Sequence, residues 1–72
     1  MLEQLKTYFE QQYKWAEKEK NDPDLKPLDT FFAAVHRCCG AAEFAQDCGY
    51  SYNEIEPVYN ETVEKLKELL LS

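Results

Sequence analysis

Three cysteines and one histidine are the residues of this chain whose types could do covalent or metal chemistry: His36, Cys38, Cys39 and Cys48. A thiolate is a nucleophile and a soft metal ligand, and an imidazole nearby can serve it as base or co-ligand. His36 and Cys39 stand at i,i+3, which permits contact on a helix. The rest of either machinery is missing. Zinc sites join one Cys-x-x-Cys-like element to a second element of His or Cys, whereas Cys38-Cys39 is adjacent and has no second pair. On one continuous helix Cys38 and Cys48 would lie about 15 Å apart along the axis, too far for a disulfide. A catalytic cysteine also needs an oxyanion site and a third orienting group, and a helical chain of 72 residues has little room for a substrate pocket. There is no Gly-rich phosphate loop, His-Glu metal helix or Ser-His-Asp set. The three cysteines therefore read as small buried hydrophobes. No catalytic residue, metal or cofactor is expected.

The carboxylates are more informative. Between Ala41 and Glu64 the chain carries Glu43, Asp47, Glu54, Glu56, Glu61 and Glu64, with no Lys or Arg. Acids and bases elsewhere balance, so this window holds the formal net charge of −6. Glu54 and Glu56 are two apart and diverge on a helix, so they form no acid/base dyad. Acid density beside Tyr50 and Tyr52 suits recognition instead, because a negative helical surface with aromatic anchors complements a basic surface on another protein. The expected contact set is Glu43, Asp47, Tyr50, Tyr52, Glu54 and Glu56.

These residues must be positioned by helices, since helical periodicity dominates the chain. The expected fold is all-α, a small three-helix bundle in one domain spanning residues 1–72. The first helix runs over 2–20, with Leu2, Leu5, Tyr8, Phe9, Tyr13, Trp15 and Ala16 on one broad face. Lys6–Glu10 and Glu10–Lys14 are candidate i,i+4 ion pairs on the other face. A Pro-containing linker occupies 21–27, where Pro23 and Pro27 stop one helix and stiffen the connection. The second helix is expected over 29–48, capped by Asp29 or Thr30. At Gly40 it either runs on or breaks, because an interior glycine costs about 1 kcal/mol relative to alanine. Gly49 is a natural residue just past a helix end. Ser51 and Glu54 then make a capping box, with Tyr50 and Ile55 as its hydrophobic staple, and open a third helix over 52–70. Pro57 falls on the polar face of that helix. The expected core is Leu5, Phe9, Leu28, Phe32, Val35, Ala42, Ala45, Ile55, Tyr59, Leu66 and Leu69. So short a chain is marginal alone. The apolar faces of the first and third helices look wider than a monomer can cover, so a homodimer is expected.

The stretch from Ala41 resembles the helix-turn-helix pattern of bacterial repressors over roughly a quarter of the chain. Phe44 and Cys48 are apolar, Ala45 is the small contact residue, Gly49 makes the turn, and Tyr50, Ile55 and Val58 anchor the second helix. The resemblance implies a helix-turn-helix-like second half whose last helix offers Ser51, Asn53 and Asn60 to DNA. Charge opposes that use, because Glu54, Glu56 and Glu61 would face phosphates with nothing basic in the motif to offset them. A non-enzymatic protein–protein interaction module is therefore the leading reading. A helix-turn-helix transcriptional regulator and a thiol or metal-binding protein using His36, Cys38, Cys39 and Cys48 are the alternatives.

Met1–Lys6 shows no basic region followed by an apolar run, and no stretch is apolar enough to span a bilayer. An odd number of poorly spaced cysteines makes no secreted disulfide framework. The expectation is a cytoplasmic protein with reduced thiols and no membrane contact.

Overall fold

The computed structural model describes residues 2–71, so the end residues Met1 and Ser72 of the expected domain lie outside the described residues. The chain forms three helices: α1 (Leu2–Glu19), α2 (Pro27–Asp47) and α3 (Tyr52–Leu70). Each packs against both of the others. At 1.5 Å per residue these helices are about 27, 32 and 29 Å long, and the bundle measures 40 × 17 × 16 Å. No helix of that length can stand across so narrow a body, so all three run along the long axis. The fold is the expected three-helix bundle.

One end of the bundle joins the start of α1, the end of α2 and the start of α3. Leu5, Phe9, Cys38, Ala45 and Ile55 are buried together there. Phe9 meets Tyr59 edge-on at 6.3 Å, a favoured aromatic geometry. The opposite end buries Ala16, Phe31, Ala34, Leu66 and Leu70. We refer to these as the turn end and the linker end.

α2 and α3 touch at both ends, so they lie side by side over their whole length. The local signals of the helix-turn-helix pattern are present at their junction, but its two arms are long and alongside rather than short and steeply crossed. α2 also runs unbroken through Gly40, because the surrounding packing outweighs the cost of one interior glycine.

The start of α2 differs from the expectation. The helix begins at Pro27 with Lys26 as an N-cap that offers no side-chain cap. Pro at the first helical position has its φ already set and lacks only an N–H that would be unpaired anyway. That preference draws the start two residues ahead of Asp29. In the linker, the Asp24 N–H donates to Asp22 Oδ1 at 2.9 Å, a local turn that competes with helix. On α1, Lys6 turns back to Glu3 at 4.0 Å instead of forward to Glu10.

Two expected core residues are corrected. Leu28 and Phe32 are 49% and 50% exposed. Phe31 and Phe32 are neighbours about 100° apart around the helix, so only one can face inward. Phe31 is in phase with Ala34, Cys38 and Ala45, and it is the one buried. Val35, Ala42, Tyr59 and Leu69 are half-buried at the core's edge. Ala16, Phe31, Ala34, Cys38 and Leu70 complete the core. The apolar faces of α1 and α3 are largely spent on the bundle, with Trp15 half-buried beneath the Arg37 guanidinium at 4.2 Å. The uncovered large side chains are Leu25 in the linker, Leu28, Phe32 and Phe44 on α2, and Tyr52 and Leu71 at the two ends of α3.

Candidate interaction surface at the turn end

The α2–α3 junction is terminated on both sides by backbone bonds. Gly49 takes φ 103°, a region closed to most side chains. The Gly49 N–H donates to the Gln46 carbonyl at 3.0 Å, and the Tyr50 N–H donates to the Ala45 carbonyl at 3.1 Å. This pair of bonds closes α2 in a Schellman motif. Tyr50 packs against the same cluster that holds Ala45. One residue later the capping box opens α3. Ser51 Oγ accepts from the Glu54 N–H at 3.3 Å, and Glu54 Oε2 accepts from the Ser51 N–H at 3.1 Å.

The capping box changes the role of an expected contact residue. Glu54 Oε2 also accepts from the Ser51 hydroxyl at 3.3 Å. Its carboxylate is thus committed to the helix start, where the macrodipole favours a negative charge. Other acids of the window are engaged too. Glu61 pairs with Lys65 at 3.4 Å and Glu64 with Lys67 at 3.8 Å. The Cys39 thiol donates to Glu43 Oε1 at 3.8 Å. Asp47 and Glu56 form none of the ion pairs or side-chain hydrogen bonds found among the described residues.

Folding concentrates the charge further. The half of the bundle at the turn end carries Glu3, Glu10, Glu43, Asp47, Glu54 and Glu56 against Lys6, with Arg37 and Glu61 of opposite charge at the middle of the bundle. α1 thus adds acids from far outside the acidic window. The linker half carries Glu17, Glu19, Asp22, Asp24, Asp29, Glu64 and Glu68 against six lysines, and is nearly neutral. Tyr52 stands 60% exposed at the acidic end, while Tyr50 is half-buried and structural.

The residues offered to DNA divide. Ser51 is consumed as the N-cap. Asn53 and Asn60 are exposed on α3, but the same exposed side carries Pro57 and Glu64. Pro57 is an interior helix residue without an N–H, so the Asn53 carbonyl loses its helical partner and is left to solvent.

The thiol candidates are not brought together. Cys38 is fully buried, whereas Cys39 and Cys48 are exposed. The expectation of three buried cysteines therefore holds only for Cys38, because Cys39 is one residue out of phase with the buried face and Cys48 is the C-cap. Burial, then the neighbouring Cys39, pushes the Cys38 thiol up to about 11, which makes it a poor nucleophile. Burial also raises Tyr59, helped by Cys39, Cys38 and a hydrogen bond with Cys39. Cys39, Glu43 and Tyr59 line a shallow hollow of about 120 Å³. His36 is exposed on α2. Among the described residues no three His, Cys, Asp or Glu side chains are grouped to hold a metal. A larger open groove of about 560 Å³ runs between α1 and α3, walled by Phe9, Tyr13 and Val58 and edged by Lys6, Glu10, Glu61 and Lys65. It contains no cysteine or histidine.

Among the described residues no helix is long and apolar enough to cross a membrane. Comparison with protein-family models, curated proteins and solved structures finds no match.

Proposed function

We propose that the protein is a non-enzymatic interaction module, a small acidic regulator or adaptor whose turn end docks on a basic surface of another protein. The observation that carries this reading is the pairing of Asp47 and Glu56, both without an internal cation, with exposed Tyr52. They sit on a junction fixed by a Schellman motif and a capping box. A surface already ordered before binding loses little conformational freedom on association. The acidic field draws a basic partner in and repels nucleic acid. Glu54 contributes charge to that field while its atoms hold the helix start. Glu43 lies at the edge, tied to Cys39.

The test is capture from a lysate of the source organism with tagged wild-type protein and with an Asp47→Lys/Glu56→Lys variant, at low and at high salt. A basic protein held by the wild type, released by salt and lost with the variant is the expected result. Both changed residues lie outside the core, so the variant should keep the wild-type helix content. A partner held equally by both proteins would overturn the reading, as would selective enrichment of duplex DNA.

A further inference from the structure

The seam between α2 and α3 is left open along one side of the bundle. Leu28, Phe32, Val35, Cys39 and Ala42 follow one another on α2 in alternating steps of four and three residues. Such spacing stays close to the helical repeat, so the five share one face. Cys39 and Ala42 line a hollow together with Tyr59, which sets this stripe on the flank of α2 next to α3. Leu28, Phe32 and Cys39 are exposed, while Val35 and Ala42 are half-buried. On α3 the facing flank carries Tyr52, Glu56, Tyr59 and Val63, since Pro57, Val58 and Thr62 lie toward α1. Val35 and Val63 pack on the linker-end cluster, and Ala42 and Tyr59 on the turn-end cluster. The result is a shallow groove about 27 Å long from Leu28 to Gln46. Its linker half is apolar. Its turn half carries Glu43 and Glu56, and neither helix has a Lys or Arg between residues 41 and 64.

We infer that this groove takes an amphipathic helix of another protein, apolar along one face and rich in Lys or Arg in the half that meets Glu43 and Glu56. The inference rests on the turn-end reading and names the form of the partner's basic surface. Period and charge together select it. A helix of about 18 residues spans the groove, and an apolar stripe at its own three- and four-residue steps interlocks with the stripe on α2. An extended segment would find no sheet edge here to bond its backbone. The two halves of the groove then ask for different residues at the two ends of one helix, which fixes its direction. A second copy of this chain does not supply that helix, because none of its three helices has a run of cations free of acids. Anionic lipid and nucleic acid are repelled by the same carboxylates.

The probe is a synthetic peptide of about 18 residues, with leucines at alternating three- and four-residue steps and lysines confined to one half. Its control keeps the lysines and replaces every leucine by serine. Fluorescence anisotropy against the full chain gives affinities, and amide shifts of the labelled chain give the site. The leucine peptide should bind with shifts along both the α2 stripe and the facing flank of α3, and the serine control should bind at least about tenfold more weakly. Phe32→Gln and Glu56→Lys, both outside the core, should each weaken the leucine peptide by about tenfold with circular dichroism unchanged. Phe44→Gln should not. Phe44 lies seven residues beyond Arg37, on the flank where that guanidinium meets Trp15 of α1, and is exposed without bordering the groove. Absence of binding overturns the inference, as does a Phe44→Gln loss equal to that of Phe32→Gln. So does a dimer of the chain alone that the peptide fails to dissociate. Two peptides that bind alike and are both lost with Glu56→Lys would overturn the groove and leave the turn-end reading standing. Binding that survives Glu56→Lys would overturn both.

Discussion

The two ends of this bundle are built on different physics. At the turn end the chain is closed by specific polar devices: a positive-φ glycine, a Schellman motif and a capping box within the ten residues 45–54. Its buried cluster includes a thiol, and three phenols, Tyr8, Tyr50 and Tyr59, pack at its edge. Its surface is acidic. At the linker end the start of α2 has no side-chain cap, only Pro27 at its first position. The buried cluster there is hydrocarbon throughout, and Leu25, Leu28, Phe32 and Leu71 remain on the surface. Specific polar termination leaves a rigid and charged end suited to recognition. Apolar excess leaves an end that gains from being covered.

The most severe way to break the comparison is to open each core in turn. Phe9→Ala at the turn end and Leu66→Ala at the linker end each remove a fully buried side chain, costing about 3–5 and 2–5 kcal/mol respectively. Small domains have only about 5–15 kcal/mol to lose. Urea titration should therefore show both variants near or past their midpoints in water. Phe9 also loses its edge-on contact with Tyr59, so Phe9→Ala should be the worse of the two. Equal costs would mean that the aromatic pair adds nothing beyond burial.

Legibility in the sequence follows the same division. The turn end was readable because its devices are local: Gly49, Ser51 and Glu54 act within a few residues of one another. Even there Glu54 stands both in the predicted capping box and in the expected contact set, and the structure commits its carboxylate to Ser51. Concentration of charge onto one end needed Glu3 and Glu10 from α1, which no local window contains. The linker end was harder. The sequence places Pro27 in the linker and offers Asp29 or Thr30 as the cap, yet the fixed φ of Pro27 prevails over a side-chain cap. Choosing between Phe31 and Phe32 needs the phase of the buried face, which is set by Ala34, Cys38 and Ala45, small residues that weigh little in a hydrophobic pattern. Gly40 posed a break or a continuation, and only contacts along both halves of α2 decide for continuation.

A smaller and more selective effect follows from the titratable groups. Cys38 is held neutral at the turn end with its pKa raised from 9.0 to about 11. The folded state then binds the proton more tightly than the unfolded state, so stability is fully present below about pH 9 and falls as pH rises toward 11. Tyr59, raised above 10, acts in the same direction. The loss should be about 1–2 kcal/mol, reduced from the full value of the shift by solvent screening. Denaturant melts across that range should show it, and Cys38→Ala should flatten the slope. Hydrogen exchange should report weakening around Cys38 and Ile55 before it appears around Leu66, because the buried side chains of the linker-end cluster are all hydrocarbon. A slope unchanged in Cys38→Ala would place the alkaline sensitivity elsewhere.

The finest test exchanges the capping of the two ends. Ser51→Ala removes the cap that satisfies the Glu54 N–H and should cost about 1 kcal/mol. Gly49→Ala forces a side chain into φ 103° and should cost a similar amount, on the order of 1 kcal/mol. The reverse operation is available at the linker end, where Lys26 already has the extended backbone of an N-cap, φ −83° and ψ 135°. Lys26→Asp would supply the missing acceptor and place a negative charge at the start of α2, where the macrodipole favours it. Asp24 and Asp29 lie close by, and their repulsion takes back part of the gain. The net change should be a stabilisation of about 0.5 kcal/mol, read as a small rise in the urea midpoint at unchanged slope. Lys26→Ser, which brings the acceptor without the charge, separates the two contributions. If neither variant raises the midpoint, Pro27 alone suffices to start α2, and the lack of a side-chain cap costs the linker end nothing.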